Sequence, residues 1–208
     1  MEQNVAKINE TIVHGRRFRR LIDPTTRNWK PTDPNLLAEK YRLNAMVKFQ
    51  PIDPSKVRFR GKASMDESFV LTEKFTDFNG RIITNESVLY NDVIEEPVCA
   101  EWDTGATYSS ISKELAEKLQ LKPCGKRMIT SITSSESTEV YEISLILHNE
   151  VEIPVIVSAL PNIHSHGVDF LIGMDVIHFG DFAISTYDNT TCFSFRAPSK
   201  GLIDFTKE

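Results

Sequence analysis

The sequence predicts an all-β fold, a small closed barrel of short strands with one or two short helices, preceded by a basic N-terminal extension. From about residue 63 the chain alternates between short apolar-polar segments and turn signals, which is typical of small sandwiches and barrels. Charge divides at the same place: residues 1–62 carry 14 Lys and Arg against 6 Asp and Glu, whereas residues 63–208 carry 10 against 23. We therefore assign residues 1–62 to the extension and residues 63–208 to one domain.

Seven or eight strands are expected, which is enough to close a barrel. They are the segments 68–75, 81–90, 98–102, 140–147, 151–158, 169–173, 181–185 and 191–196. In "VYEISLIL" and "VEIPVIVS" every second residue is apolar, so these two segments predict a hairpin with a buried inner face. Pro154 lies on the opposite face of the second segment and indicates an edge or a bulge there.

Two helices are predicted. "ISKELAEKLQL" (111–121) has apolar residues spaced by four, with Ser112 as a cap and Glu114 in the first turn. The second, over 33–49, lies in the extension, where Asp33 can cap and Pro34 suits the first helical position. One helix cannot make a core, so the extension must dock or stay mobile.

The basic run "GRRFRR" (15–20) has three interpretations. Arg side chains with Phe18 could bind nucleic acid through phosphates and stacking, but no nucleic-acid-binding fold accompanies them, so this partner is the less favoured one. A solvated arm that packs on the acidic domain or on a partner chain is favoured. The third interpretation is a pro-segment that shields the domain until it is removed.

Other classes of protein and site are disfavoured. No run of about 18 apolar residues occurs, and the N-terminus lacks the basic-then-apolar order of a secretory signal, so we expect a cytoplasmic protein without membrane association. The three cysteines, Cys99, Cys124 and Cys192, suit neither a disulfide framework nor a zinc site. "HSH" (164–166) lacks an evident third ligand, so no metal is expected.

A turn tripeptide in an unusual place carries the chemistry. Asp103, Thr104 and Gly105 follow an apolar strand ending in Trp102 and precede the predicted helix, and "FLIGMD" comes later. In this order, these motifs resemble the retropepsin-like aspartic proteases, the single-lobed family that includes retroviral proteases. The resemblance covers roughly residues 68–198.

The resemblance implies a role for each matching residue. Asp103 would be the catalytic carboxylate, Thr104 the hydroxyl that locks two turns of a dimer together, and Gly105 the residue that permits close backbone approach. The later apolar-apolar-Gly triplet would pack beneath the turn as a structural element; it is Leu171, Ile172 and Gly173. No metal or organic cofactor is implied.

Aspartic proteolysis needs two carboxylates that share one proton, since like charges so close together cannot both ionise. The chain has a single Asp-Thr-Gly and is too short for two lobes. The second carboxylate must then come from another chain, which a two-fold homodimer supplies. Asp175, which follows the triplet, is a candidate second acid, but we expect it to cap a short helix instead, and Asp169 before the triplet has no better claim.

Two features depart from the family pattern. The stretch 128–141, which corresponds to the flap that closes over substrate, has no glycine. Its proposed substrate-binding residues are polar or small apart from one isoleucine: Ser131, Ile132, Thr133 and Ser134. Glu101 stands two residues before Asp103, where the family usually has apolar side chains.

The predicted function is an aspartic endopeptidase that hydrolyses a peptide or protein substrate as a homodimer. The alternative is a non-catalytic module that keeps the fold for dimerisation or peptide binding while its arm contacts nucleic acid or an acidic partner. A binding module has no need of an intact Asp-Thr-Gly, which favours the enzyme.

Overall fold

The structure, a computed structural model, describes residues 7–13, 16–22, 45–47, 51–60, 69–76, 78–92, 94–130, 135–161 and 163–207. The chain divides into two units, residues 1–45 and residues 46–208. Residues 51–60 belong to the second unit, where Val57 is buried in the core. The change from basic to acidic composition at residue 62 and the boundary between the two structural units at residue 45 therefore fall at different places in the chain.

In the first unit, the described residues form one antiparallel hairpin. Strand β1 (Lys7–Val13) pairs with β2 (Arg16–Ile22), and the register runs from Lys7 opposite Ile22 to Val13 opposite Arg16. The basic run is therefore largely a β-strand.

The helix predicted over 33–49 lies mostly outside the described residues. Its described part, 45–47, is not helical. Met46 forms an isolated β-bridge with Lys126, and the Val47 N–H donates to the Lys126 carbonyl at 2.7 Å. The helix prediction is wrong for this part.

The second unit contains eleven of the described strands and two short helices. The strands are β3 (Arg58–Phe59), β4 (Phe69–Phe75), β5 (Ile82–Tyr90), β6 (Ile94–Trp102), β7 (Ser110–Ser112), β8 (Gly125–Thr130), β9 (Ser135–Ile146), β10 (Val151–Leu160), β11 (Phe170–Ile172), β12 (Asp181–Tyr187) and β13 (Thr190–Ala197). The helices are α1 (Lys113–Lys118) and α2 (Met174–Ile177), and single 3-10 turns occur at Pro54–Lys56, His164–His166 and Phe205–Lys207. None of the helices among the described residues has the length and apolar character needed to cross a membrane.

Two sheets organise this unit. One has eight strands in the order β3-β10-β7-β11-β6-β5-β9-β8, and a further pairing of β9 with β10 closes six of them into a ring. The other has three strands in the order β12-β13-β4. The prediction of an all-β fold with one or two short helices in the domain is confirmed.

The β9–β10 hairpin has the buried face that its alternation predicts. On β10, Val151, Ile153, Val155 and Val157 are all buried, and so are their counterparts on β9 and just after it: Tyr141, Ile143, Leu145 and Leu147. Pro154 pairs with Ser144 of β9 and lies between the parts of β10 that pair with β3 and β7. Only one edge of the strand is paired at this proline, where a missing N–H is tolerated.

Helix α1 is shorter than predicted but begins where the cap predicts. The Ser112 hydroxyl accepts a hydrogen bond from the Leu115 N–H at 3.0 Å. Ile111, expected in the helix, belongs to β7 and is fully buried. The helix ends at Lys118 because Gln120 adopts a positive φ of 50°.

An aromatic cluster joins the two sheets. Trp102, the last residue of β6, packs against Phe193 and Phe195 of β13, with ring centroids 5.0 and 4.8 Å away. Its indole N–H donates to the Thr84 hydroxyl at 2.9 Å, so the polar atom of this buried ring is satisfied. The residue that precedes Asp103 is therefore held firmly in the core.

Candidate active site

Asp103 lies where the central strand β6 ends and the chain turns. Its N–H donates to the Ile172 carbonyl at 2.9 Å, and its own carbonyl accepts from the Ala106 N–H at 3.2 Å. One carboxylate oxygen, Oδ1, accepts the Gly105 N–H at 2.8 Å. No described residue donates to the other, Oδ2, and the side chain is half-buried. The turn thus fixes the carboxylate and leaves one oxygen available.

The two residues that follow are exposed. The Thr104 hydroxyl makes no hydrogen bond within the described part of this single chain. A Cβ on Gly105 would lie 3.1 Å from Asp103 Oδ1, which is tighter than ordinary contact. A side chain at position 105 would press directly on the carboxylate.

The later triplet contacts the turn through its backbone. Leu171 is half-buried and pairs with Glu101 of β6, whereas Ile172 is fully buried and pairs with Trp102. A Cβ on Gly173 would lie 2.6 Å from the carbonyl carbon of Tyr108 and 2.8 Å from the Ser109 nitrogen. Only glycine fits at this close approach of two backbones.

Sequence reasoning missed Ser109, which connects the two motifs. Its hydroxyl donates to Asp175 Oδ1 at 2.6 Å and accepts the Gly173 N–H at 3.0 Å. Its N–H donates to both oxygens of Asp175 at 2.9 Å. A serine six residues after the aspartate carries no distinctive sequence signal, so this contact emerges only from the fold.

The prediction that Asp175 caps a helix is wrong. The cap of α2 is Gly173, without a side-chain bond, and Asp175 lies inside the helix. Its buried carboxylate instead accepts the bonds from Ser109 and the Val176 N–H. Burial raises the pKa of Asp175, and the bonds from Ser109 oppose that shift. The carboxylate is a structural bracket between α2 and the turn.

Glu101, the unusual acid before the turn, is paired. Arg81 donates to its two oxygens at 2.8 and 2.6 Å and also to the His166 carbonyl at 3.3 Å. The Arg81 hydrogen bonds lower the pKa of Glu101. The extra negative charge near Asp103 is therefore offset by a bidentate guanidinium.

The proposed flap residues Ser131, Ile132, Thr133 and Ser134 lie outside the described residues. The strands on either side of them, β8 and β9, are described and antiparallel, and Thr130 pairs with Ser135 through their hydroxyl oxygens, 3.0 Å apart. The described strands on either side of the proposed flap residues thus form an antiparallel pair.

Within the described ranges, no three His, Cys, Asp or Glu side chains are arranged to hold a metal ion. The histidines of "HSH" lie in a 3-10 turn, and His164 Nδ1 is 2.7 Å from Asp169 Oδ1.

Residues 87–176 match the family model described as aspartyl protease. No curated protein matches the chain. Among solved structures, the chain is similar to a retropepsin-like aspartic protease from Rickettsia conorii, with 16% identity, a TM-score of 0.43, and coverage of 63% of this chain and 96% of that one. The simian foamy virus (mac) protease has 17% identity, a TM-score of 0.33, and coverage of 46% and 93%. The retroviral protease-like domain of Ddi1 from Leishmania major has 18% identity, a TM-score of 0.33, and coverage of 53% and 93%.

The family match spans both predicted motifs, from before Asp103 to beyond Gly173. The resemblance of this chain to the retropepsin-like aspartic proteases is therefore confirmed.

Proposed function

We propose that this protein is an aspartic endopeptidase whose site is completed by two copies of Asp103, one from each chain of a homodimer. The observation that carries the proposal is the Asp103 turn, in which the backbone is tied to Ile172 and one carboxylate oxygen is held by Gly105. A carboxylate fixed in this way has its second oxygen available for a water or a second carboxylate.

The chemistry requires the second copy. When two carboxylates lie close together, one retains a proton, and the ionised one takes a proton from a water that attacks the peptide carbonyl. The protonated partner donates its proton to the carbonyl oxygen, which gives a gem-diol. The carboxyl that took the water's proton then passes it to the leaving nitrogen as the C–N bond breaks, and the other carboxylate recovers its proton from a gem-diol hydroxyl. The mechanism uses no metal or organic cofactor.

The exposed Thr104 supports a two-fold arrangement. Its hydroxyl has no partner among the described residues of one chain, although it adjoins the half-buried Asp103. In a symmetric dimer the same residue of the second chain approaches from the opposite side, so both hydroxyls gain a partner at once.

The test is peptide cleavage by the wild type and by Asp103→Asn, scored by mass spectrometry on a mixed peptide library. Self-cleavage between residues 50 and 65 is a convenient first product to seek. We expect Asp103→Asn to lose at least about a thousandfold in activity while keeping its thermal midpoint. Asp188→Asn, in the β12–β13 turn, is the matched control and should cleave normally. Equal cleavage by wild type and Asp103→Asn would refute the proposal.

Subunit mixing tests the dimer separately. If each site needs two aspartates, an equimolar, fully exchanged mixture of wild type and Asp103→Asn retains about one quarter of the wild-type specific activity, because only wild-type homodimers work. Independent sites would retain about one half. If the wild type cleaves nothing and salt-sensitive binding through residues 15–20 survives the loss of Asp103, the non-catalytic module is the correct interpretation.

A further inference from the structure

A small cavity lies beside Tyr108, in the loop that follows the Asp103 turn. It has a volume of about 130 Å³, and Arg127, Ile156 and Asp175 also line it. Residues 51–53 form a further part of its lining. At ~30 Å³ per water molecule, the cavity has room for about four waters or one short side chain. We call it the Arg127 cavity.

Arg127 of β8 is the unusual group in this cavity. It is only 4% exposed, although arginine is seldom buried without a charged partner. Its Nη1 donates to the Ile156 carbonyl at 3.1 Å, and the guanidinium carbon lies 3.9 Å from the centre of the Tyr108 ring. Its Nε has no hydrogen-bond partner in the part of the chain that the structure describes.

The positive charge of Arg127 is not paired by any described acid. Asp175, the acid that most affects it electrostatically, is already bound by Ser109 and the Val176 N–H. Asp53 and Glu142 also line the cavity, but both are exposed, as is Lys56 beside them. A buried guanidinium with an unused donor favours a carboxylate as its missing partner.

Two residues that line the cavity belong to segments next to the proposed catalytic turn and the proposed flap. Tyr108 lies in the same loop as Asp103, and its neighbour Ser109 is bonded to the triplet and to Asp175. Arg127 lies three residues before the end of β8, the strand that leads to the proposed flap. The cavity thus borders the loop that follows Asp103 and the strand that precedes the proposed flap.

We propose that the Arg127 cavity is a specificity subsite that accepts an aspartate or glutamate side chain of the substrate peptide. This inference rests on the proposed function. A carboxylate entering the cavity would accept hydrogen bonds from Arg127 Nε and the guanidinium edge. An aliphatic side chain of the same size would leave that donor unsatisfied, and an amide would offer one uncharged acceptor oxygen in place of a charged carboxylate.

The first experiment uses the wild type and needs no folding control. Peptides of one cleaved sequence are synthesised with Glu, Gln or Leu at each position in turn. We expect one position at which Glu raises kcat/KM by about tenfold or more over Gln, as hydrogen bonds to charged groups permit. No position with a Glu preference would overturn the inference.

Variants then assign the preference to Arg127. Arg127→Met should abolish the difference between Glu and Gln peptides, Arg127→Lys should retain part of it, and Lys126→Met, the neighbouring control, should retain it fully. If Arg127→Met does not fold, Arg127→Lys still decides, because an unchanged Glu:Gln ratio in that variant contradicts a bidentate guanidinium contact.

Binding separates this inference from the proposed function. N-acetylglutamate amide and N-acetylglutamine amide are titrated into Asp103→Asn protein and followed by ligand-observed NMR. Preferential binding of the glutamate compound, lost in the Arg127→Met double variant, supports the subsite even if no peptide is cleaved. Equal binding of the two compounds overturns it even if the protein is an active protease.

Discussion

Replacing Ser109 with alanine tests whether this serine holds the Asp103 turn on the triplet. The substitution removes the Ser109 hydroxyl, which donates to the Asp175 carboxylate and accepts the Gly173 N–H. Both of these hydrogen bonds are buried. The Ser109 N–H, which also reaches Asp175, is retained. The change is therefore confined to the hydroxyl and creates no new steric contact.

The size of the effect follows from those two bonds. A hydrogen bond to a charged group contributes about 1.5–3 kcal/mol, and a buried N–H left without a partner costs about 1–3 kcal/mol. Because the contributions of two hydrogen bonds to the same oxygen are not additive, we expect Ser109→Ala to lower the free energy of unfolding by about 2–5 kcal/mol. That is a large share of a typical total of about 5–15 kcal/mol.

Urea unfolding followed by Trp fluorescence measures this loss. With a urea m value of about 2 kcal/mol/M, the midpoint should fall by about 1–2.5 M. Ser110→Ala is the matched control, since Ser110 is the adjacent buried serine and its hydroxyl has no partner among the described residues. Equal midpoints for the two variants would refute the role given to Ser109.

Two further predictions concern the surroundings of the turn. Gly173→Ala places a methyl group 2.6 Å from the Tyr108 backbone, so we expect it to lower the free energy of unfolding by about 1–3 kcal/mol, and an unchanged urea midpoint would contradict this. Glu101→Gln removes the negative charge and one of the two oxygens that accept from Arg81, and it should cost about 1 kcal/mol at neutral pH, discounted because both side chains are partly exposed. In the folded protein, the pKa of Glu101 is lowered below its ordinary value of 4.5. The extra stability of the wild type over Glu101→Gln is therefore fully present above pH 4.5 and is lost as the pH falls through the lowered pKa. The thermal midpoints of the two proteins, measured from about pH 6 to about pH 3, should converge as the pH falls. A constant difference between the midpoints would exclude the ion pair as the cause of that difference.

Local patterns were sufficient to predict most of the strands. Alternation in the β9–β10 hairpin predicts its buried face, and Ser112 marks the start of α1, because both signals depend on neighbours within a few residues. Helix α1 is shorter than its apolar spacing predicts, because Ile111 pairs with Phe170 as a strand residue instead of lying in the helix.

The supports of the candidate site depend on contacts that span the chain. Ser109 meets Asp175, and Arg81 meets Glu101, across 66 and 20 positions. A single sequence gives no sign of such pairing, and it predicts a cap at Asp175 because Asp near a helix start is commonly one. The sequence gives no sign of the buried Arg127 for the same reason, because burial of a charged residue follows from the fold rather than from its sequence neighbours.

The parallel pairing of β11 with β6 also constrains when the Asp103 turn can form. Ile172 pairs with Trp102, and its carbonyl receives the Asp103 N–H, so strands about 70 positions apart must meet before the turn is held. Contacts so distant in sequence form slowly because a long loop has to be closed first. A growing chain therefore carries Asp103 long before it carries the backbone that positions it. We expect the turn to be among the last parts of the fold to order, which would delay any activity of Asp103 until the domain is nearly complete.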